Sequence, residues 1–421
     1  MPSPPLAPRP PADSAPARPP AEQGRRWVVL SVGLGAQSAS CMFLYGLPAV
    51  APTLRTPGAV TRAGLSLGQV GVVVAAPPVG LLLALIAWGA VADRIGERVV
   101  IATGMAVATV ALGLATTVHG FIPLSLVLVA AGVGGASVSA ASGRMILGWF
   151  SARERGLAMG IRQTGQPLGV ALAAAILPPV ASRWGLTGVF TAMAVLAGIS
   201  VVATALLAAD PPRAPRAADD GKVPSPYRDG VLWRIHASSA ALVVPQFVVS
   251  VFTLAYLVSE RDWSPIAAGR VIVGFQVAGA AGRIVAGVWS DRVRSRLRPM
   301  RMLAVASAVL MLALALGDLT HSGVIVAVFG LAAIVTVADN GLAFTAVAER
   351  AGSAWAGRAL GVQNTGQNVA GALTPPLLGS LIAGLGYDAG FVVAAIFPVL
   401  AIGLIPVRRA AERPEDGPST A

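Results

Sequence analysis

The sequence predicts an all-α integral membrane protein of twelve transmembrane helices in two pseudo-symmetric six-helix halves. Three observations predict it. Of 421 residues, 55% are hydrophobic and only 12% charged; an average soluble domain carries about 25% charge, so this chain cannot cover a soluble surface of its size. Twelve apolar runs approach the ~20 residues that a helix needs to cross a bilayer. The stretches that follow the second and eighth runs repeat one another. Aromatics make up 5%, so the apolar excess is aliphatic. A soluble enzyme and a disordered chain are both excluded. The net charge of +12 does not point to nucleic acid, because the basic residues form short clusters between apolar runs rather than one stripe.

In chain order, residues 1–26 are rich in Pro, Ala and Arg and have no short apolar core. They read as a disordered cytoplasmic tail, not a cleavable signal. The N-terminal half covers 27–208, with spans near 27–48, 69–91, 99–118, 121–143, 157–180 and 185–208. A segment rich in Pro and charge, 209–234, reads as a cytoplasmic linker. The C-terminal half covers 235–407, with spans near 235–258, 266–289, 302–318, 323–346, 359–384 and 388–407. Residues 408–421 read as a second cytoplasmic tail. The pairs Pro77-Pro78, Pro178-Pro179 and Pro375-Pro376 fall inside spans 2, 5 and 11, where they bend helices. The single cysteine, Cys41, excludes an internal disulfide.

The charge pattern sets the orientation. With an even number of spans both termini share a side, and that side holds 23 of the 31 basic residues. The opposite loops hold five: Arg55, Arg62, Arg183, Arg261 and Arg270. The terminus side is therefore predicted to be cytoplasmic.

The halves repeat. Gly89-Ala90-Val91-Ala92-Asp93-Arg94-Ile95-Gly96-Glu97-Arg98 follows span 2, and Gly287-Val288-Trp289-Ser290-Asp291-Arg292-Val293-Arg294-Ser295-Arg296 follows span 8. Likewise Gly160-Ile161-Arg162-Gln163-Thr164-Gly165-Gln166 in span 5 matches Gly361-Val362-Gln363-Asn364-Thr365-Gly366-Gln367 in span 11. The nearly constant offset indicates duplication of a six-helix unit. On the G-x-x-x-D-R-x-G-x-R loop at 89–98 and its degenerate copy, the chain resembles the major facilitator superfamily of secondary transporters from about residue 27 to 407.

That resemblance implies a conformational latch at Gly89, Asp93, Arg94 and Arg98, with a second at Gly287, Asp291 and Arg292. Glycine admits close helix approach, and the acid can pair with an Arg and a helix N-terminus. Arg294 stands where the first copy has Gly96, which predicts a weaker second latch. The resemblance also implies that helices 1, 4, 7 and 10 line a central cavity, with 2, 5, 8 and 11 beside them.

Setting aside Arg270, Asp318 and Asp388 at span ends, four charges read as lying within the membrane: Arg144, Arg162, Arg283 and Asp339. Charge within a bilayer is costly and marks either a pathway or a pair. Arg283 lies roughly 10 Å from the Asp291 end of its helix, from a ~1.5 Å rise per residue. It reads either as a substrate or coupling contact or as a structural partner of Asp339. Arg162 and Arg144 sit nearer the cytoplasmic ends, where they contact substrate or snorkel. Asp339, the sole acid away from a span end, reads as a proton carrier or as half of a salt bridge that opens when an anion binds. Uncharged polar residues cluster in the cavity-lining spans. Gln37 and Tyr45 lie in span 1, Gln246 in span 7, Asn340 in span 10, and Gln166, Asn364 and Gln367 in spans 5 and 11. They can hydrogen-bond a polar solute, or each other as interhelical glue.

The expected function is secondary active transport of a small solute by alternating access. The excess of Arg points to an organic anion, a mono- or dicarboxylate, with protons as the coupling ion. Arg283 resembles the span-8 Arg of monocarboxylate and oxalate carriers. A proton-coupled exporter of drugs or metabolites is the alternative, although drug antiporters carry an adjacent Gly-Pro in span 5 where this chain has Gly165-Gln166-Pro167. A non-transporting sensor or a membrane enzyme is a remote alternative, lacking an output domain or an acid pair. His119, His236 and His321 show no metal spacing, and no phosphate-binding loop or nucleophile elbow occurs. No cofactor, metal or nucleic acid is therefore expected. The expected partners are a small-molecule substrate and the lipid bilayer, and the expected state is a monomer in the cell membrane, multi-pass, with both termini cytoplasmic.

Overall fold

The computed structural model describes residues 20–211, 225–352 and 354–407, and the predicted tails and linker fall largely outside them. Among the described residues the secondary structure is entirely helical. Span 1 is Pro20–Tyr45, followed by the short helices Leu47–Val50 and Ala51–Arg55; spans 2, 3 and 4 are Leu67–Ile95, Glu97–Ala115 and Phe121–Trp149. Spans 5 and 6 consist of Arg155–Gln163 and the long helix Gly165–Leu207, which bends at Gly185 with φ 60°. Span 7 is Val231–Ser259, span 8 Pro265–Arg292 and span 9 Leu297–Leu319. Span 10 is broken into Ile325–Ala338 and Asn340–Ala351, and spans 11 and 12 are Ala356–Leu385 and Tyr387–Leu404. The twelve spans form the multi-pass bundle of two six-helix halves that the hydropathy predicts.

Boundaries move where charge meets the membrane surface. Span 9 begins five residues before its apolar run, because Arg298 and Arg301 occupy its first turns; long basic side chains reach out to water from a helix end. Span 1 likewise starts early, and Arg26 on it pairs with Glu154 at 2.7 Å. The predicted linker begins as an anchor: Asp210 Oδ1 accepts from the backbone N–H groups of Glu97 and Arg98 at 2.9 and 2.8 Å, which caps span 3. At its far end Asp229 Oδ1 accepts from Val231 N at 3.0 Å and starts span 7.

Buried apolar residues form one continuous core in the N-terminal half, from Val29 to Ala208. The C-terminal half holds two, of which one reaches across to Leu147 and Met159 of the other half. Small residues set the helix spacing. A Cβ on Gly132 of span 4 would stand 2.0 Å from the Pro77 carbonyl oxygen of span 2, so only glycine lets the two backbones meet there. Large aliphatic side chains face outward, among them Leu83 (72% exposed) and Leu206 (74%). A bilayer solvates such a face, and water does not.

Candidate functional site

Spans 5 and 10 both break at the buried charges. Pro167 has no N–H to offer the Gln163 carbonyl four residues back, so the ladder opens at Thr164, between Gln163 and Gly165. The freed Gln163 carbonyl is taken by the Arg283 guanidinium of span 8. Arg162, one residue before, donates to Gln163 Oε1 at 3.0 Å, Ser142 Oγ at 2.9 Å, Gln37 Oε1 at 3.2 Å and the Ser139 carbonyl at 3.3 Å. Its guanidinium also lies 5.7 Å from the ring centre of Phe344 on span 10. Two cations, 2% and 7% exposed, therefore converge on one residue from two helices. Every hydrogen-bond acceptor they use is uncharged.

Asp339 stands at the break in span 10, 2% exposed. Its Oδ2 and the Arg283 Nε are buried without a hydrogen-bond partner, and no ion pair joins Asp339 to Arg283 among the described residues. Directly after it begins a chain of hydrogen-bonded amides. Asn340 Nδ2 donates to Gln246 Oε1 at 3.0 Å, and Gln367 Nε2 donates to Asn340 Oδ1 at 3.1 Å and to Ser239 Oγ at 2.7 Å. Two further contacts cross between the halves: Asn364 Nδ2 donates to the Ser139 carbonyl at 3.1 Å, and the Tyr45 hydroxyl donates to Asn368 Oδ1 at 2.9 Å. Gln166 is exposed and joins neither group.

Arg144 stands apart from the other two cations. Its Nη1 meets Asp93 Oδ1 at 2.7 Å, and its Nε pairs with Glu97. Asp93 also accepts from the backbone N–H groups of Gly357 and Arg358, at 2.9 and 3.1 Å, and from Arg358 Nε at 3.0 Å. It thus caps span 11 of the opposite half. The second copy makes the same pattern: Asp291 accepts from Gly156 N at 2.9 Å and Leu157 N at 2.8 Å at the start of span 5, and from Arg296 Nη1 at 2.5 Å. Arg294 does not spoil it, since it adopts a positive φ of 49° where Gly96 has 103°. Arg94 and Arg292 are exposed, and the Arg98 guanidinium turns to the Ala205 carbonyl. The cations that reach the two aspartates are Arg144 with Arg358, and Arg296.

The glycines explain how close these ends lie. A Cβ on Gly89 would stand 2.3 Å from the Gly357 carbonyl oxygen, and one on Gly287 2.1 Å from that of Gly156. The sequence signals Gly89 and Gly287 through the motif. Gly156 and Gly357 share the 201-residue offset of spans 5 and 11, so the repeat itself carries their signal. Nothing in the sequence signals Phe344, Ser142 or Ser239.

Because Asp93 gathers four donors in a buried place, Asp93→Asn leaves Arg144 and a helix terminus short of acceptors. Removing one member of a buried ion pair costs ~3–5 kcal/mol. A clear drop in the thermal unfolding midpoint of the detergent-solubilised protein is expected; an unchanged midpoint would show that the cluster holds nothing together.

Comparison with known proteins agrees with this architecture. The profile of the Major Facilitator Superfamily matches residues 38–375. An uncharacterized MFS-type transporter of Mycobacterium tuberculosis is 39% identical over 394 residues, 93% of this chain and 87% of the relative. A probable L-galactonate transporter of Escherichia coli is 29% identical over 133 residues, 32% of this chain and 29% of its own. A probable nitrate/nitrite transporter of M. tuberculosis is 28% identical over 331 residues, 75% of this chain and 80% of its own. Among solved structures, a proton:xylose symporter bound to 6-bromo-6-deoxy-D-glucose superposes with a TM-score of 0.73 at 15% identity, covering 90% of this chain and 95% of that one. The sequence is that of a transporter and not an enzyme, and the chain belongs to the Major Facilitator Superfamily.

Proposed function

We propose that this transporter carries a small organic anion by alternating access, with its two halves rocking about a site at Arg162 and Arg283 near the middle of the bundle. The observation that carries the reading is the convergence of two buried guanidiniums on Gln163 with only uncharged acceptors. A buried cation is costly unless a charge or several hydrogen bonds compensate it, and a carboxylate between these two would do so bidentately. Relatives named for L-galactonate and for nitrate or nitrite support the sign of the charge, since negative charge is what those substrates share. A cationic drug would meet two positive charges there. The aspartate clusters at 93 and 291 hold one end of the bundle shut and release as the halves rock. Asp339 carries the coupling proton, taking it up when the halves open to one side and giving it up on the other. The excess of basic residues on the terminus side supports both termini in the cytoplasm, and in this reading the protein is a monomer in the cell membrane.

The test is flux into liposomes holding the purified protein. Carboxylate uptake is expected to rise under an inward proton gradient and to lose that dependence in Asp339→Asn. Movement of cationic dyes without movement of any anion would overturn the reading.

A further inference from the structure

The site is two-sided, and the amides of its second side have no use in the reading above. Arg162 touches Phe344 on span 10, and Asn340 lies one turn earlier on that helix, ~6 Å away along the axis from the 1.5 Å rise per residue. Beside the cations, therefore, stands the amide chain of Gln246, Asn340 and Gln367. Its internal bonds do not exhaust it. The Gln246 amide nitrogen donates to none of the described residues and the Gln367 carbonyl oxygen accepts from none, and neither is among the fully buried unpartnered atoms. Next to them Asp339 Oδ2 is an unpartnered acceptor.

This set discriminates chemically. An amide N–H asks for an acceptor, whereas the amide carbonyl and the carboxylate ask for donors. A hydroxyl is both at once. A second carboxylate would satisfy the N–H alone and press a negative charge on Asp339. A methyl end would leave all three groups unpaired.

We propose that the substrate is a polyhydroxylated monocarboxylate, with its carboxylate between Arg162 and Arg283 and its hydroxyls on Gln246, Asn340 and Gln367. The assignment rests on the anion reading and narrows it: hydroxy acids are carried, while dicarboxylates and plain fatty acids of equal length are not. A site built to bond a hydroxyl rejects the analogue that lacks it far more strongly than an apolar pocket rejects an extra group.

The experiment compares three six-carbon probes, gluconate, hexanoate and adipate, by binding to the full-length purified protein. Gluconate is expected to bind at least about tenfold more tightly than either of the others. Asn340→Leu, and Gln246→Met as a second variant should the first fail to fold, are expected to weaken gluconate to the level of hexanoate while leaving hexanoate unchanged. Loss of structure would weaken all three together, so the selective loss marks contact with the hydroxyls. Equal binding of gluconate and hexanoate, or tighter binding of adipate, overturns the hydroxyl assignment and leaves the anion reading standing. If no carboxylate of any kind binds, the anion reading itself has failed.

Discussion

Arg283→Gln is expected to abolish transport and, at the same time, to raise the temperature at which the protein unfolds. The two effects have one cause. Arg283 is 7% exposed, and among the described residues its Nε has no hydrogen-bond partner and its one hydrogen bond goes to the Gln163 carbonyl. A charge buried in this way is a burden on the folded state. Gln keeps an N–H donor on span 8, though two bonds shorter, and removes the charge. For a bound carboxylate the balance reverses, since truncating one partner of a buried charge-assisted bond costs ~2–5 kcal/mol, a loss of roughly 30-fold or more in affinity. Arg162→Gln behaves differently. Arg162 holds Gln37, Ser142, Gln163 and the Ser139 carbonyl together, so its loss weakens both transport and stability. Heat denaturation and uptake, measured on both variants, separate the roles. If Arg283 were a structural strut, Arg283→Gln would unfold at a lower temperature, and that outcome would sink the assignment.

The same residues show how far the sequence could be read and where it stopped. Spans follow from hydropathy because a bilayer tolerates few other patterns. The four intramembrane charges are visible for the same reason: each is an exception to a costly rule. Their partners are not visible, because pairing depends on packing. Arg144, grouped by depth with Arg162 and Arg283, meets Asp93 at a separation of 51 residues, and Glu97, which reads as a loop acid, is buried against it. Arg94 and Arg98 stand closer to Asp93 in sequence but point elsewhere, because the helix ends there and the chain turns into span 3. Gln166 belongs to the repeated motif, yet the break at Thr164 turns it out of the polar groups. That break was legible in principle. A proline four residues after Gln163 must orphan its carbonyl, and an orphaned carbonyl in a membrane needs a donor; that Arg283 supplies it could be learned only from the fold.

Gly287→Val is the second variant with a large expected effect, and it acts on the conformational equilibrium rather than on binding. A Cβ at 287 would lie 2.1 Å from the Gly156 carbonyl oxygen, and one at Gly156 2.3 Å from that of Gly287. The neighbour is backbone on both sides, so no side chain can turn away to make room. Spans 5 and 8 must separate, and the Asp291 bonds to Gly156 and Leu157 N–H go with them. Overpacking of this kind costs ~1–3 kcal/mol where structure can yield, and 3 kcal/mol shifts a two-state equilibrium by roughly 150-fold. The protein is expected to abandon the state closed at this end and to stop transporting. Spin labels at Arg94 and Arg292, exposed positions of the two halves, on a Cys41→Ser background, should report a longer distance in Gly287→Val than in the parent. Gly274→Val is the control, because a Cβ at 274 meets nothing within 4 Å although it lies on the same helix. A distance that lengthens equally in the control would trace the effect to the helix itself; lengthening in Gly287→Val alone ties it to the meeting of two backbones that only glycine allows.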